Sequence, residues 1–146
     1  MIDRAAGISY WKAPKVLEGH HLDSYLQHLL SDPDYSVGLQ EVLDFKNVKE
    51  CNLSTDNITR MVVCQRAQQN KLIGNQRALI CDNDLVYGLC RMFTLKSGSV
   101  SMEIQVFRSA DEAAKWLGID YEDFQALPAI WEGQIEKQGI ESPLPV

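Results

Sequence analysis

Residues 76–118 alternate between patterns typical of strands and patterns typical of helices. Residues 77–81 form a short apolar run, and the Asp-Asn-Asp sequence at 82–84 follows it with turn and N-cap chemistry. Apolar residues then recur at helical spacing over residues 85–93. This order predicts a strand, a turn and an amphipathic helix.

The same alternation repeats in the second half of this stretch. Residues 96–99 end the helix, and residues 102–107 alternate between apolar and polar side chains, the two-residue period of a strand. Ser109 and Glu112 form a capping box, and Gly118 lies where a left-handed C-cap is expected. A second strand followed by a second helix is therefore predicted.

The chain before residue 76 predicts two more strand-helix units. Residues 8–11 form the first strand candidate, and residues 16–17 continue it after a bend. The next helix has the strongest helical pattern in the chain, formed by Leu22, Tyr25, Leu26, Leu29 and Leu30. Residues 39–45 form the second strand, and a helix capped within residues 54–56 runs to about Lys71.

Four strands, each followed by a helix, imply right-handed crossovers and a mostly parallel sheet. We therefore predict one α/β domain over residues 1–118, with a sheet of four or five strands flanked by helices. Residues 119–146 are predicted to be a helical extension of this domain, in two pieces separated at Pro128.

The net charge of −6 is concentrated at the C-terminal end, because residues 119–146 carry six acidic residues and one lysine. A balanced body with an acidic tail provides no basic surface for nucleic acid or for an anionic membrane. No run approaches the ~20 consecutive apolar residues that cross a bilayer, and the N-terminus lacks the apolar segment of a signal peptide. We expect a cytoplasmic protein that binds neither nucleic acid nor membrane.

The four cysteines show no metal-ligand spacing. Cys64 and Cys81 lie in apolar runs and are predicted to be buried, whereas Cys51 and Cys90 stand beside charged residues and are predicted to be partly exposed. No nucleophile elbow, Walker loop or dinucleotide-binding glycine motif occurs. We therefore predict no metal and no cofactor.

Three histidines, His20, His21 and His28, all lie at or near the first predicted helix. His21 and His28 are seven residues apart, which is too far for both to bind one metal ion without rearrangement. Solvated side chains are the simpler interpretation. An enzyme is consequently the least favoured class of function.

Asp82, Asp84, Tyr87 and Arg91 form a candidate ligand site at the carboxyl end of the third strand, where open α/β sheets place ligands. Tyr87 and Arg91 are four residues apart, so Arg91 is placed to meet a carboxylate or phosphate beside an aromatic ring. Asp44, at the end of the second strand, would line one edge. In the structural alternative, Asp82 or Asp84 caps the helix and Arg91 pairs internally, for example with Asp44.

The C-terminal extension carries an apolar stripe that includes Phe124, Trp131 and Ile135. A stripe of this kind either packs on its own domain or meets a second copy or another protein. We treat these three residues as a candidate interface.

Six short segments have a recognisable pattern: DPDY at 32–35, LDF at 43–45, YG at 87–88, RMF at 91–93, VF at 106–107 and AAKWLG at 113–118. Over about residues 8–118, they resemble bacterial proteins of the SpoIIAA-like (STAS-like) type. The resemblance implies a small cytoplasmic domain related in shape to anti-sigma-factor antagonists. The matching segments are informative about the fold more than about any chemical activity.

The resemblance also implies a candidate phosphoacceptor. In the antagonists, a phosphorylatable serine begins the helix that follows a D-L-x-x-V strand end, and Asp44, Val48 and Ser54 have comparable spacing. Residues 52, 53 and 55 depart from the antagonist pattern. Considered alone, Ser54 is a helix N-cap, although a phosphate there would gain from the helix N-terminus.

From these observations we predict a non-catalytic regulatory or protein-interaction domain of STAS-like type, whose partner is another protein or a second copy. The alternative is a carrier or sensor that binds a small acidic or amphipathic ligand near Asp44, Tyr87 and Arg91.

Overall fold

The computed structural model describes residues 2–3, 7–98 and 102–138, with the side chains of residues 2, 7–98 and 102–133. Its strands are β1 (Ile2–Asp3), β2 (Ile8–Lys12), β3 (Val16–Leu17), β4 (Gln40–Asp44), β5 (Glu50–Cys51), β6 (Gln76–Ile80) and β7 (Glu103–Phe107). Its helices are α1 (Gly19–Ser31), α2 (Thr55–Ala67), α3 (Gln69–Leu72), α4 (Asp84–Lys96), α5 (Ala110–Leu117) and α6 (Tyr121–Gln138).

The central sheet has the strand order β1-β2-β4-β6-β7. Strands β2, β4, β6 and β7 are mutually parallel, and the short β1 pairs antiparallel with β2. The prediction of an α/β fold with a mostly parallel sheet is therefore confirmed. Because every crossover moves along the sheet in the same direction, right-handed connections place the connecting helices on one face.

Alternate strand residues bury two separate apolar cores. On one face, residues such as Leu43 and Leu79 pack under α1, α2 and α4, which we call the helix layer. On the other face, Val42 and Ala78 pack under α5 and α6. Covering both faces explains why these parallel strands read as nearly continuous apolar runs.

Several element boundaries differ from the predicted ones. The helix expected to reach Lys71 divides at Gln68 into α2 and α3. Strands β3 and β5 form a separate two-stranded parallel sheet, so residues 16–17 do not continue the first strand within the central sheet. Ser109 does cap α5, and Gly118 ends it with the left-handed φ of 72° that glycine tolerates best.

The C-terminal extension is one helix, and the predicted break at Pro128 is wrong. Proline lacks an N–H, so the helix loses the bond to the carbonyl of Phe124, four residues earlier. Phe124, Leu127 and Trp131 are all buried against the sheet, and this packing holds both sides of the proline in one helix. The two prolines within residues 141–146 predict a frayed end, and these residues lie outside the described part.

A cluster of polar side chains is completely buried between the sheet and the helix layer. Glu41 of β4 and Arg77 of β6 occupy paired positions, and Arg77 Nε donates to Glu41 Oε1 at 3.0 Å. The Tyr25 hydroxyl donates to the same oxygen, Asn75 Nδ2 donates to Oε2 at 2.8 Å, and Gln65 Oε1 accepts from Arg77. Two helices and the turn before β6 thus supply the hydrogen-bond partners of an ion pair between neighbouring strands.

Burial strengthens the electrostatic coupling within this cluster. Burial alone would lower the pKa of the Arg77 guanidinium, but Glu41 and Tyr25 outweigh that effect, and the pKa is raised. Burial, followed by the charge of Glu41, raises the pKa of Tyr25 well above its ordinary value. The cluster is therefore a charged pair with a neutral phenol.

We predict that removing one charge destabilises the fold strongly. Arg77→Met leaves the Glu41 carboxylate buried without its ion-pair partner and should lower the free energy of unfolding by about 3–5 kcal/mol. Adding Glu41→Leu should recover part of this loss. Urea denaturation of the single and double variants measures both values.

The exposed pair Lys115–Asp111, with an N–O distance of 3.4 Å, provides the control. Lys115→Met should change stability by no more than about 0.5 kcal/mol. An Arg77→Met variant as stable as Lys115→Met would show that the buried pair contributes nothing.

Candidate functional site

Strands β4, β6 and β7 end at the same edge of the sheet, and a capped helix follows each strand end. Ser54 caps α2, Asn83 caps α4 and Ser109 caps α5, each by accepting a backbone N–H with its side chain. The cap of α4 is therefore Asn83, and neither of its aspartate neighbours takes that role. We call this region the carboxyl edge.

Arg108, directly after β7, organises the polar groups near the start of α4. Its Nη1 lies 2.8 Å from Asp84 Oδ1, and its guanidinium stands 4.1 Å from the centroid of the Tyr87 ring. The Arg91 side chain is exposed one turn after Tyr87, and its predicted contact with a carboxylate or phosphate beside that ring stays a prediction. Because the Arg108 side chain is 50% exposed, its ion pair contributes little to stability.

Asp44 does not join this group. Its side chain points to the α5–α6 face, where Oδ2 accepts from the Tyr10 hydroxyl at 2.6 Å and Oδ1 accepts from the Lys46 N–H at 3.0 Å. Burial, with the Asp44 charge, raises the pKa of the Tyr10 phenol. Asp82 is exposed. The predicted ligand-site residues therefore do not converge on one pocket.

Two thiols meet beneath the carboxyl edge. Cys81 and Cys90 are both buried, while Cys64 is exposed, so the predicted exposures of Cys64 and Cys90 are wrong. A hydrogen bond from Cys90 lowers the pKa of Cys81 against the effect of burial, and the Arg108 charge acts in the same direction. The same bond, together with burial, raises the pKa of Cys90.

An apolar cavity of about 30 Å³ lies between the sheet and helices α2 and α4. Its walls include Leu79, Met61, Cys90 and Phe93, and the Arg77 side chain reaches it. Arg77 Nη2 lies 2.9 Å from Glu41 Oε1 without a well-directed hydrogen bond. A space of this size holds about one water molecule.

The solvent-facing side of the helix layer carries several exposed apolar side chains. Leu85 and Leu95 of α4 are 60% and 75% exposed, and Val63 of α2 is 57% exposed. Arg66, one turn after Val63, donates to the Lys96 carbonyl at 3.1 Å, so this side of α2 faces the end of α4. We define the α2–α4 surface as Val63, Leu85, Leu95 and the partly buried Met92.

A groove of about 370 Å³ lies on the other side of α2, against α1. Leu26, Leu30 and Met61 line its floor, and Asp23 and Arg60 contribute charges of opposite sign. The helix layer therefore has a groove on the α1 side of α2 and exposed apolar side chains on its α4 side.

Two of the three candidate interface residues of α6 are buried within the domain. Phe124 and Trp131 are buried in the core beneath α6, and the Trp131 ring lies edge-on to Tyr10 with centroids 6.2 Å apart. These two side chains follow the alternative in which the stripe packs on its own domain. The side chain of Ile135 lies outside the described part.

Comparison of the chain with protein-family models, with curated proteins and with solved structures gave no match. Among the described residues, no group of three or more histidine, cysteine or acidic side chains is arranged to hold a metal ion. In the same part of the chain, no helix has the length and apolar character needed to span a membrane.

Sequence reasoning missed Arg108 and Arg77, although both left a signal. Arg108 directly follows a predicted strand, the position that placed Asp44 and Asp82 among the candidates. Arg77 and Glu41 are opposite charges at the second position of two otherwise similar apolar strands, Gln76–Ile80 and Gln40–Asp44. Opposite charges in such strands indicate a buried cross-strand pair.

Ser54 acts as a reciprocal cap with Asn57. The Asn57 N–H donates to Ser54 Oγ at 3.2 Å, and the Ser54 N–H donates to Asn57 Oδ1 at 2.8 Å. We predict that Ser54→Ala lowers the free energy of unfolding by about 1 kcal/mol, whereas Ser54→Asp retains the cap. Urea denaturation measures the difference, with exposed Thr55→Ala as the control. Equal stability of Ser54→Ala and Thr55→Ala would contradict the capping role.

His21 makes the start of α1 sensitive to pH. Its Nδ1 accepts the Glu18 N–H at 3.0 Å, which requires a neutral ring, and burial followed by the His20 charge lowers the pKa of His21. Because this pKa is lower in the folded state, the unfolded chain binds the proton more readily. The His21 contribution is therefore complete above pH ~6.5, the ordinary pKa of histidine, and declines as pH falls below it.

We predict that His21→Gln weakens the loss of thermal stability between neutral pH and pH ~5.5, a range just below the ordinary histidine pKa. Glutamine at this capping-box position accepts the same N–H without titrating. His28→Gln, at an exposed position of the same helix, should retain the wild-type pH profile. Thermal melts across this range provide the measurement, and an unchanged profile in His21→Gln would contradict the assignment.

Proposed function

We propose that this protein is a non-catalytic regulatory domain of STAS-like type that binds another protein through its α2–α4 surface. The observation that carries the proposal is the exposed apolar character of that surface. Three of the seven large hydrophobic side chains exposed in the described part belong to it: Val63, Leu85 and Leu95. Scattered apolar side chains need no explanation, but several on the outer side of two neighbouring helices are typical of an interaction site.

The geometry of the helix layer supports this proposal. Val63 is eight positions after the first residue of α2, and Met92 is eight positions after the first residue of α4. The contact between Arg66 and Lys96 brings the ends of these two helices together. The side chains therefore occupy similar heights on neighbouring helices. A partner with an apolar face could cover them together without unfolding any element.

Ser54 lies at the same end of the helix layer as Leu85, because each residue stands at the start of its helix. Its side chain is exposed. A phosphate on Ser54 would be held by the N-terminus of α2 and would add negative charge beside the partner surface. We propose that phosphorylation there weakens binding of an apolar partner.

The second candidate function, a carrier or sensor of a small amphipathic ligand, would need the apolar cavity as its binding site. Ligand pockets usually measure about 300–1,000 Å³, an order of magnitude more than the ~30 Å³ found here. The Arg77 charge is also already neutralised by Glu41. Protein binding is therefore the better supported proposal.

We predict that a photo-crosslinking amino acid at Val63 captures a specific protein in the cells that produce this chain. The same amino acid at Val37, which is 62% exposed but lies outside the helix layer, is the control position. Mass spectrometry identifies the captured product. Adding Leu95→Glu should abolish capture from position 63, because the new charge would be desolvated at the contact.

Equal capture from positions 63 and 37, or capture that survives Leu95→Glu, would contradict binding through the α2–α4 surface. Ser54→Asp should reduce the captured yield, while Thr55→Asp, one residue further along the helix, controls for added charge. An unchanged yield in Ser54→Asp would refute the regulatory role of Ser54 and leave the surface itself supported.

A further inference from the structure

Strand β7 is the last strand of the central sheet, and no described strand pairs with its outer side. The Glu103 N–H donates to the Asn75 carbonyl, and the Phe107 carbonyl accepts from the Cys81 N–H, both at 3.0 Å. In a parallel ladder, only alternate residues bond to the neighbouring strand. The N–H and C=O groups of Ile104 and Val106 therefore point outward, away from β6.

Apolar side chains flank this outer edge on both faces of the sheet. Ile104 and Val106 are partly buried under α4. On the opposite face, Phe107 is partly buried and stacks on Trp116 of α5 with ring centroids 5.6 Å apart. An added strand would cover the remaining exposed area of these side chains while it completed the backbone hydrogen bonds.

The sequence of β7 lacks the usual protection of an edge strand. It contains no proline, glycine or lysine, and its one charge is Glu103 at the first position. Natural edge strands are normally shortened, bulged or charged to prevent pairing with another chain. At the opposite edge of the sheet, β1 covers β2.

We propose that the outer edge of β7 pairs antiparallel with the same strand of a second copy, which joins two sheets across a two-fold axis at Gln105. In this register, Ile104 of each copy lies opposite Val106 of the other, and their outward backbone groups form four hydrogen bonds. Glu103 of each copy then lies opposite Phe107 of the other, so the two Glu103 carboxylates stay at opposite ends of the strand pair. A parallel arrangement would instead bring the two Glu103 carboxylates together.

The proposed register fixes the distance between the Cα atoms of Gln105 in the two copies. Its own backbone groups bond to β6, so the two copies of Gln105 form a non-hydrogen-bonded pair with Cα atoms about 4.5 Å apart. A disulfide spans Cα distances of about 4.4–6.8 Å. Cysteines at this position should therefore crosslink the two copies.

The first test compares Ile104→Pro with Ile104→Ala in the full chain. Both variants lose the isoleucine side chain, but only proline removes the outward N–H, and neither disturbs a bond to β6. Light scattering coupled to size exclusion should give twice the chain mass of 16.5 kDa for wild type and Ile104→Ala. Ile104→Pro should be monomeric, with the wild-type circular dichroism spectrum.

The second test does not depend on the proline variant folding. In a Cys64→Ser background, which removes the exposed native thiol, Gln105→Cys should form a covalent dimer under mild oxidation. Gln125→Cys, at an exposed position of α6, is the matched control and should not crosslink.

Three results would overturn the proposal: a monomeric wild type, a dimer that persists in folded Ile104→Pro, or Gln105→Cys that crosslinks no better than Gln125→Cys. A dimer that dissociates in Leu95→Glu but not in Ile104→Pro would assign self-association to the α2–α4 surface instead. Photo-crosslinking from position 63 tests the proposed function separately, because β7 and the α2–α4 surface share no residue.

Discussion

The buried pair of Glu41 and Arg77 sets the conditions that the rest of the fold must meet. Two full charges between apolar layers are tolerated only when each has its partner and its remaining hydrogen bonds. Their pairing requires β4 and β6 to be neighbours in the observed register. A slip of one residue in either strand would turn its charged side chain to the opposite face. Tyr25 and Gln65 add the position of α1 and α2 to the same requirement, so the cluster favours one arrangement of strands and helices together.

The location of this cluster also affects where function can reside. It occupies the amino-terminal half of the sheet beneath the helix layer, and the cavity nearer the carboxyl edge is small and apolar. The side chains that end the strands are committed as well: Asp44 accepts from Tyr10, and Arg108 pairs with Asp84. An interior with so little free volume and so few uncommitted polar groups leaves the outer surfaces as the best place for recognition. The proposals accordingly concern a helical face and a sheet edge.

Local sequence patterns were sufficient for the main strands and helices, because strands buried on both faces give short apolar runs and helices buried on one face give a helical period. Contacts between residues far apart in the sequence were harder to predict. Tyr87 has Arg91 at the correct helical spacing, but Arg108 reaches it from another strand, and only the β6–β7 pairing brings them together. Pro128 is a sound local signal for a helix start, yet packing of Trp131 and Phe124 on the sheet overrides it. The apolar stripe of α4 included Leu85, whose exposure depends on where α2 lies.

The open edge at β7 follows from the same topology. Each crossover adds the next strand on the same side of the previous one, so the sheet grows in one direction, and within the described residues no strand follows β7 in it. After β7, the chain turns to the other face, where α5 and α6 are needed to cover Val42 and Ala78. Those helices cover a face of the sheet and cannot supply the backbone partners that an edge requires. The first edge of this sheet is thus covered by β1, which precedes β2 in the chain, and the last edge, at β7, is the one that we propose a second copy covers.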